Sequence, residues 1–115
     1  MSPVRMGKIE IPSRKVIAYK DAFNNRDVNA ILALLDDKCI FEPPQNGLVL
    51  KGKAEIKTYL TTHFANLPDS KMKGIDLFQA GVHVIFRWEF NGKGGADIFK
   101  FRDGLIAEKH TYKKE

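Results

Sequence analysis

Cysteine is almost missing from this chain. Cys39 stands alone among 115 residues, which excludes an internal disulfide and a zinc knuckle. With no activating cation beside it in the sequence, it reads as a small hydrophobe. Long apolar runs are also absent, and a stretch such as Ala30 to Leu35 is far too short to cross a bilayer. The opening Met-Ser-Pro-Val-Arg-Met-Gly-Lys lacks the apolar centre of a secretion signal, so a cytoplasmic location is expected. No glycine-rich phosphate motif precedes a helix, because Gly92, Gly94 and Gly95 fall in a hairpin loop. The three histidines and scattered acids show no metal-ligand spacing. Neither a metal nor another cofactor is expected.

Apolar residues make up 43% of the chain and charged residues 29%, with a net charge of +5. That balance suits one globular domain with one core and argues against wholesale disorder. The basic residues are spread along the chain and interleaved with acids near its end. Nucleic-acid binders concentrate charge on one face beside a reading module. A solvated surface is the simpler reading, with neither nucleic acid nor membrane as partner.

Residues 1–11 read as a flexible leader, and residues 12–115 as a single domain. Ser13 can cap a helix whose buried face carries Val16, Ile17, Tyr19, Ala22 and Phe23. Asn24-Asn25-Arg26 ends it, and Asp27 caps a shorter helix with Ala30, Ile31, Leu34 and Leu35 inward. Asp36-Asp37 closes that unit. A strand over 39–42 stops at Pro43-Pro44, Asn46-Gly47 signals a turn, and 48–50 returns as a short strand. A third helix follows Gly52, with Ile56, Tyr59, Leu60, His63, Phe64 and Leu67 on one face. Four strands over 72–80, 82–90, 94–102 and 105–112 complete the chain, separated by Gly81, Asn91-Gly92 and Asp103-Gly104. Helices followed by an antiparallel meander indicate an α+β fold.

Strand alternation decides which side chains share a cavity. Val82, Val84, Phe86, Trp88 and Phe90 share one face, and Asp97, Phe99 and Phe101 share one on the next strand. These faces are read as inward, which sets a carboxylate among aromatics. Core carboxylates are rare unless paired, so Asp97 is the most informative residue in the chain. No cation is assigned to oppose it, since Arg87 and Arg102 fall on the opposite parity of their strands and should not reach it from inside. On the last strand the inward parity is open. Glu108 and His110 share a face that points either into the cavity near Asp97 or outward to a partner.

Tyr19-Lys-Asp-Ala-Phe-Asn-Asn-Arg-Asp27, Ala30-Ile-Leu-Ala-Leu-Leu-Asp-Asp37, Phe41-Glu-Pro-Pro44, Leu50-Lys-Gly-Lys-Ala-Glu-Ile56 and Asp97-Ile-Phe-Lys-Phe-Arg-Asp-Gly104 run in an order that resembles the nuclear transport factor 2-like superfamily. That group includes ketosteroid isomerases and SnoaL-like polyketide cyclases. The resemblance implies a cystatin-like α+β barrel, a cone of curved, mostly antiparallel sheet wrapped around N-terminal helices. It also implies homodimers packed through the outer sheet face. Tyr19 and Asp97 fall where ketosteroid isomerases place two donors to a developing enolate, the second a carboxylic acid kept neutral by apolar surroundings. The general base of those enzymes falls at Pro43, which has no ionisable group. Glu42, His63 or Glu108 would then have to serve as base.

The implied ligand is a small hydrophobic carbonyl compound held by Tyr59, Val84, Phe86, Trp88, Phe99 and Phe101. The implied activity is isomerisation or cyclisation through a stabilised enolate. A non-catalytic binder of an apolar metabolite and a protein-interaction module are the alternatives on the same scaffold.

Overall fold

The computed structural model describes residues 3–45 and 47–114, with side chains from residue 11 onward. Its elements are α1 (Pro3–Asn24), α2 (Val28–Leu32), β1 (Leu35–Glu42), β2 (Leu50–Lys51), α3 (Lys53–Asn66), β3 (Lys73–Ala80), β4 (His83–Phe90), β5 (Lys93–Arg102) and β6 (Leu105–Lys113). The sheet order is β2-β1-β6-β5-β4-β3. Only β1 and β6 pair in parallel; the other neighbours are antiparallel. This is the expected α+β architecture of a curved sheet with the helices on one side.

The short-range signals explain most boundaries. Asp27 caps α2 by accepting from the Ala30 N–H at 3.0 Å. Asn91-Gly92 and Asp103-Gly104 each place two successive residues at positive φ, the backbone that a two-residue hairpin turn requires. Three expectations need correction. α1 starts at Pro3 rather than at a Ser13 cap, and Pro12 lies inside it; Ser13 instead donates from its side chain to Gln79 at 2.5 Å. Ile17 is exposed, because the buried face runs through Val16, Tyr19, Ala22 and Phe23. Asp36-Asp37 lies within β1 rather than closing the helical unit. Asn46 of the expected turn lies outside the described residues.

Most of the inward face of β4 and β5 is as the alternation predicts: Val84, Phe86, Trp88, Asp97, Phe99 and Phe101 are buried and Phe90 is half-buried, but Val82 is exposed, because it lies in the turn before β4. On β6 the alternation breaks. Lys100 pairs with Glu108, but Phe101 pairs with Ile106, so Ala107 is an extra residue on the β6 side. A one-residue slip reverses every side chain beyond it. Ile106 points inward, and beyond the bulge so do Lys109 and Thr111, while Glu108 and His110 turn outward.

The C-terminal end of α1 holds the loop between α3 and β3. The Asn24 side chain donates to the Met72 carbonyl at 3.0 Å and accepts from its N–H at 2.6 Å. Arg26 donates to the carbonyls of Phe23, Pro68 and Ser70 at 2.7–3.0 Å. Its guanidinium also lies over the rings of Phe23, Phe64 and Phe90. These contacts fix the wide end of the cone. Among the described residues no helix is long and apolar enough to cross a membrane.

Candidate functional site

A cavity of about 270 Å³ opens at the wide end of the cone. α1 contributes Tyr19 and Phe23, α3 contributes Tyr59, Leu60 and His63, and the following loop adds Leu67, Pro68 and Met72. Phe41, Pro43 and Pro44 come from the end of β1. The β4–β5 hairpin supplies Trp88, Phe90, Asn91, Lys93 and Asp97, and β6 supplies Lys109, Thr111 and Lys113. The wall is mostly apolar and aromatic, with its polar groups concentrated on β5 and β6, the usual make-up of a small-molecule site.

Asp97 is buried in the cavity wall, as the sequence pattern indicates. Its surroundings differ from expectation in one respect. A cation does face it, since the buried Lys109 ammonium lies 3.8 Å from Asp97 Oδ1. Thr111 bridges the pair, accepting from Lys109 Nζ at 2.8 Å and donating to Asp97 Oδ1 at 2.6 Å. The ammonium also lies over two rings, 4.8 Å from the Phe41 centroid and 5.4 Å from that of Tyr19. Such a site lets aromatic faces share the stabilisation of a desolvated cation.

Tyr19 is buried beside this group, its ring edge-on to Phe99 at 5.4 Å. Burial, reinforced by the Asp97 charge, holds its hydroxyl well above the ordinary phenol range. It therefore remains a neutral O–H donor. Among the described residues no hydrogen bond joins Tyr19 to Asp97, whose carboxylate is engaged by Thr111 and Lys109 instead.

The three candidate bases separate cleanly. His63 lines the cavity, stacked on Tyr59 at 5.4 Å. Burial holds its imidazole below the ordinary 6.5, and the charges of Lys109, Lys113 and Arg26 push the same way. At neutral pH it is an uncharged imidazole able to accept a proton. Glu42 and Glu108 are not in the cavity. Both lie on the outer sheet face, bound to the two nitrogens of His110: Nδ1 lies 3.0 Å from Glu42 and Nε2 lies 2.9 Å from Glu108. The Ala107 bulge sends Glu108 outward, and Glu42 is opposite in parity to the cavity-lining Phe41 and Pro43. Hydrogen bonding to Glu108, and then to Glu42, holds His110 above the ordinary 6.5 against the effect of burial.

Of the expected ligand-contacting residues, Tyr59 and Trp88 line the cavity. Val84, Phe86, Phe99 and Phe101 do not; they pack in the core behind it. The reason is position along the strand. Trp88 and Phe90 lie toward the β4–β5 turn at the open end, whereas Val84 and Phe101 lie at the other ends of their strands. Cys39 is buried, and burial pushes its thiol up to about 12, which removes it as a nucleophile. Lys109 and Thr111 are the site residues that sequence reasoning missed.

The family model of the SnoaL-like domain matches residues 16–109. Among solved structures, the chain is similar to a SnoaL-like protein of unknown function from Burkholderia thailandensis, with a TM-score of 0.84 and 18% identity over 91% of this chain and 96% of that one. A nuclear transport factor 2-like protein of unknown function from Mesorhizobium loti gives 0.79 and 23% identity over 94% of each chain. A proposed ketosteroid isomerase from Kribbella flavida gives 0.81 and 20% identity over 93% of this chain and 80% of that one. At these identities the likeness concerns the fold. No curated protein matches the chain in sequence.

Proposed function

This chain belongs to the SnoaL-like domain family, and from that premise we propose that it binds a small hydrophobic carbonyl compound and enolises it. The observation that carries this reading is the pairing, in one apolar cavity, of an uncharged His63 on the helix wall with the Lys109–Thr111–Asp97 group on the sheet wall. His63 removes a proton from the carbon next to the carbonyl. The C–H electron pair becomes the new C=C bond, and the carbonyl π electrons move onto oxygen. The Lys109 ammonium and the neutral Tyr19 hydroxyl are the donors available to that oxyanion. Asp97 balances Lys109 and holds it in place. Return of the proton from His63 to a different carbon completes an isomerisation.

A second reading, a non-catalytic binder, draws support from Pro43, which lines the cavity where related isomerases carry their base. Solvent deuterium exchange separates the two. Small aryl and alicyclic ketones such as 1-indanone and 2-tetralone, incubated with the protein in D2O, should exchange their α-protons faster than in buffer. His63→Gln should lower that rate about 10²- to 10⁴-fold, and the rate should fall as acid protonates His63. A ketone that binds but exchanges no faster than in buffer assigns the protein to the binder class.

The outer sheet face supports a homodimer. Phe78, Ile85 and Ile98 are direct cross-strand neighbours there, and Phe78 and Ile85 are exposed. A two-fold contact would cover this patch and leave the cavities free.

A further inference from the structure

We propose that the ligand carries a negative charge: it is a one- or two-ring keto carboxylate whose ring fills the cone and whose carboxylate sits at the mouth between Lys93 and Lys113. This rests on the carbonyl-binding reading of the same cavity and adds a charge requirement to it.

Three cations line the cavity, Lys93, Lys109 and Lys113, against the single carboxylate of Asp97. Lys109 is closed onto Asp97 through Thr111, so these two charges cancel locally. Lys93 and Lys113 remain. Both are exposed, and among the described residues neither makes an ion pair. His63 adds no charge at neutral pH. Among the described residues, the mouth therefore carries an excess of positive charge.

The shape of the mouth gives that charge a location. The cavity continues into a surface hollow lined by Pro44, Lys93, Thr111, Lys113 and Lys114. Four of these residues also line the cavity itself, so the hollow is its outer vestibule. β5 and β6 hold the vestibule in register: Gly95 pairs with Lys113, and the Lys114 N–H donates to the Gly94 carbonyl at 2.9 Å. The lysines thus rise from paired backbone at one edge of an apolar opening.

A cavity of about 270 Å³ is at the small end of ligand sites, which limits the apolar part to one or two rings.

The test is calorimetric titration with 1-indanone-5-carboxylate and with its primary amide, which keeps the ring and ketone but lacks the charge. The carboxylate should bind about tenfold more tightly at low salt, the scale of two exposed ion pairs. The advantage should shrink at high salt. It should vanish in the Lys93→Gln/Lys113→Gln variant. Equal or tighter binding of the amide overturns the charge requirement while leaving carbonyl binding intact. A carboxylate preference that survives the double substitution overturns the placement at the mouth. Binding of neither compound overturns both this inference and the carbonyl-binding reading.

Discussion

Replacing Lys109 by Met keeps the stem of the side chain and removes its charge, leaving the Asp97 carboxylate buried without a cation. The two charges are 3.8 Å apart, with side chains 11% and 2% exposed. At an effective dielectric of about 20, Coulomb attraction at that separation is about 4 kcal/mol. Breaking one side of a buried pair costs about 3–5 kcal/mol, because the remaining charge keeps its desolvation penalty. The expected loss is therefore about 3–4 kcal/mol at neutral pH. For a domain of this length that lowers Tm by roughly 12 °C or more. Asp97→Asn in the same chain should recover most of the loss, since an amide can still accept from Thr111 and carries no charge. Urea unfolding of the wild type, both single variants and the double variant closes the cycle. A cost below about 1 kcal/mol for Lys109→Met, or no recovery in the double variant, would show that the two charges are not coupled and refute the reasoning.

Gly95→Ala should destabilise by about 1–3 kcal/mol and alter the emission of Trp88. The new Cβ would fall on the indole ring and 2.9 Å from the backbone oxygen of Tyr112; unchanged stability and emission would contradict the packing. His110 should titrate above 6.5. Its ion pairs then contribute stability that is full below 6.5 and lost as pH rises through the folded value. Unfolding of wild type and His110→Gln as a function of pH should diverge most on the acid side, and parallel curves would remove the effect. Sedimentation should find a dimer that Ile85→Lys converts to monomer; a wild-type monomer at high micromolar concentration would count against the outer-face contact.

What the sequence made legible follows from where local patterns run uninterrupted. β4 and β5 alternate without a break through the residues that matter, so the burial of Trp88 and Asp97 could be read directly. Gly94 and Gly95, read as hairpin loop, instead lie in β5, where Gly95 pairs with Trp88 and leaves room for the indole. On β6 the same logic fails at one residue. Continuing the period from Ile106 points Glu108 and His110 inward, and only the extra residue at Ala107 turns Lys109 and Thr111 to the cavity. A bulge at an alanine leaves no signal in composition or turn chemistry. Ser13 misled in the opposite sense: read as a cap, it lies inside α1 beside Pro12, and proline marks helix starts more often than it sits within a helix. The clamp of Asn24 and Arg26 on the loop after α3 was illegible as well, since its partners are backbone atoms far along the chain.

A crystal structure with 2-tetralone bound would show whether His63 and Lys109 face the reacting atoms of a ketone. The ketone should lie in the cavity between Tyr59 and Trp88, its oxygen within hydrogen-bond reach of the Lys109 ammonium. An α-carbon should face a ring nitrogen of His63, near enough for proton transfer either directly or through one water. A ketone bound elsewhere, or held in the cavity with its oxygen turned away from Lys109 and its α-carbons away from His63, would contradict the account.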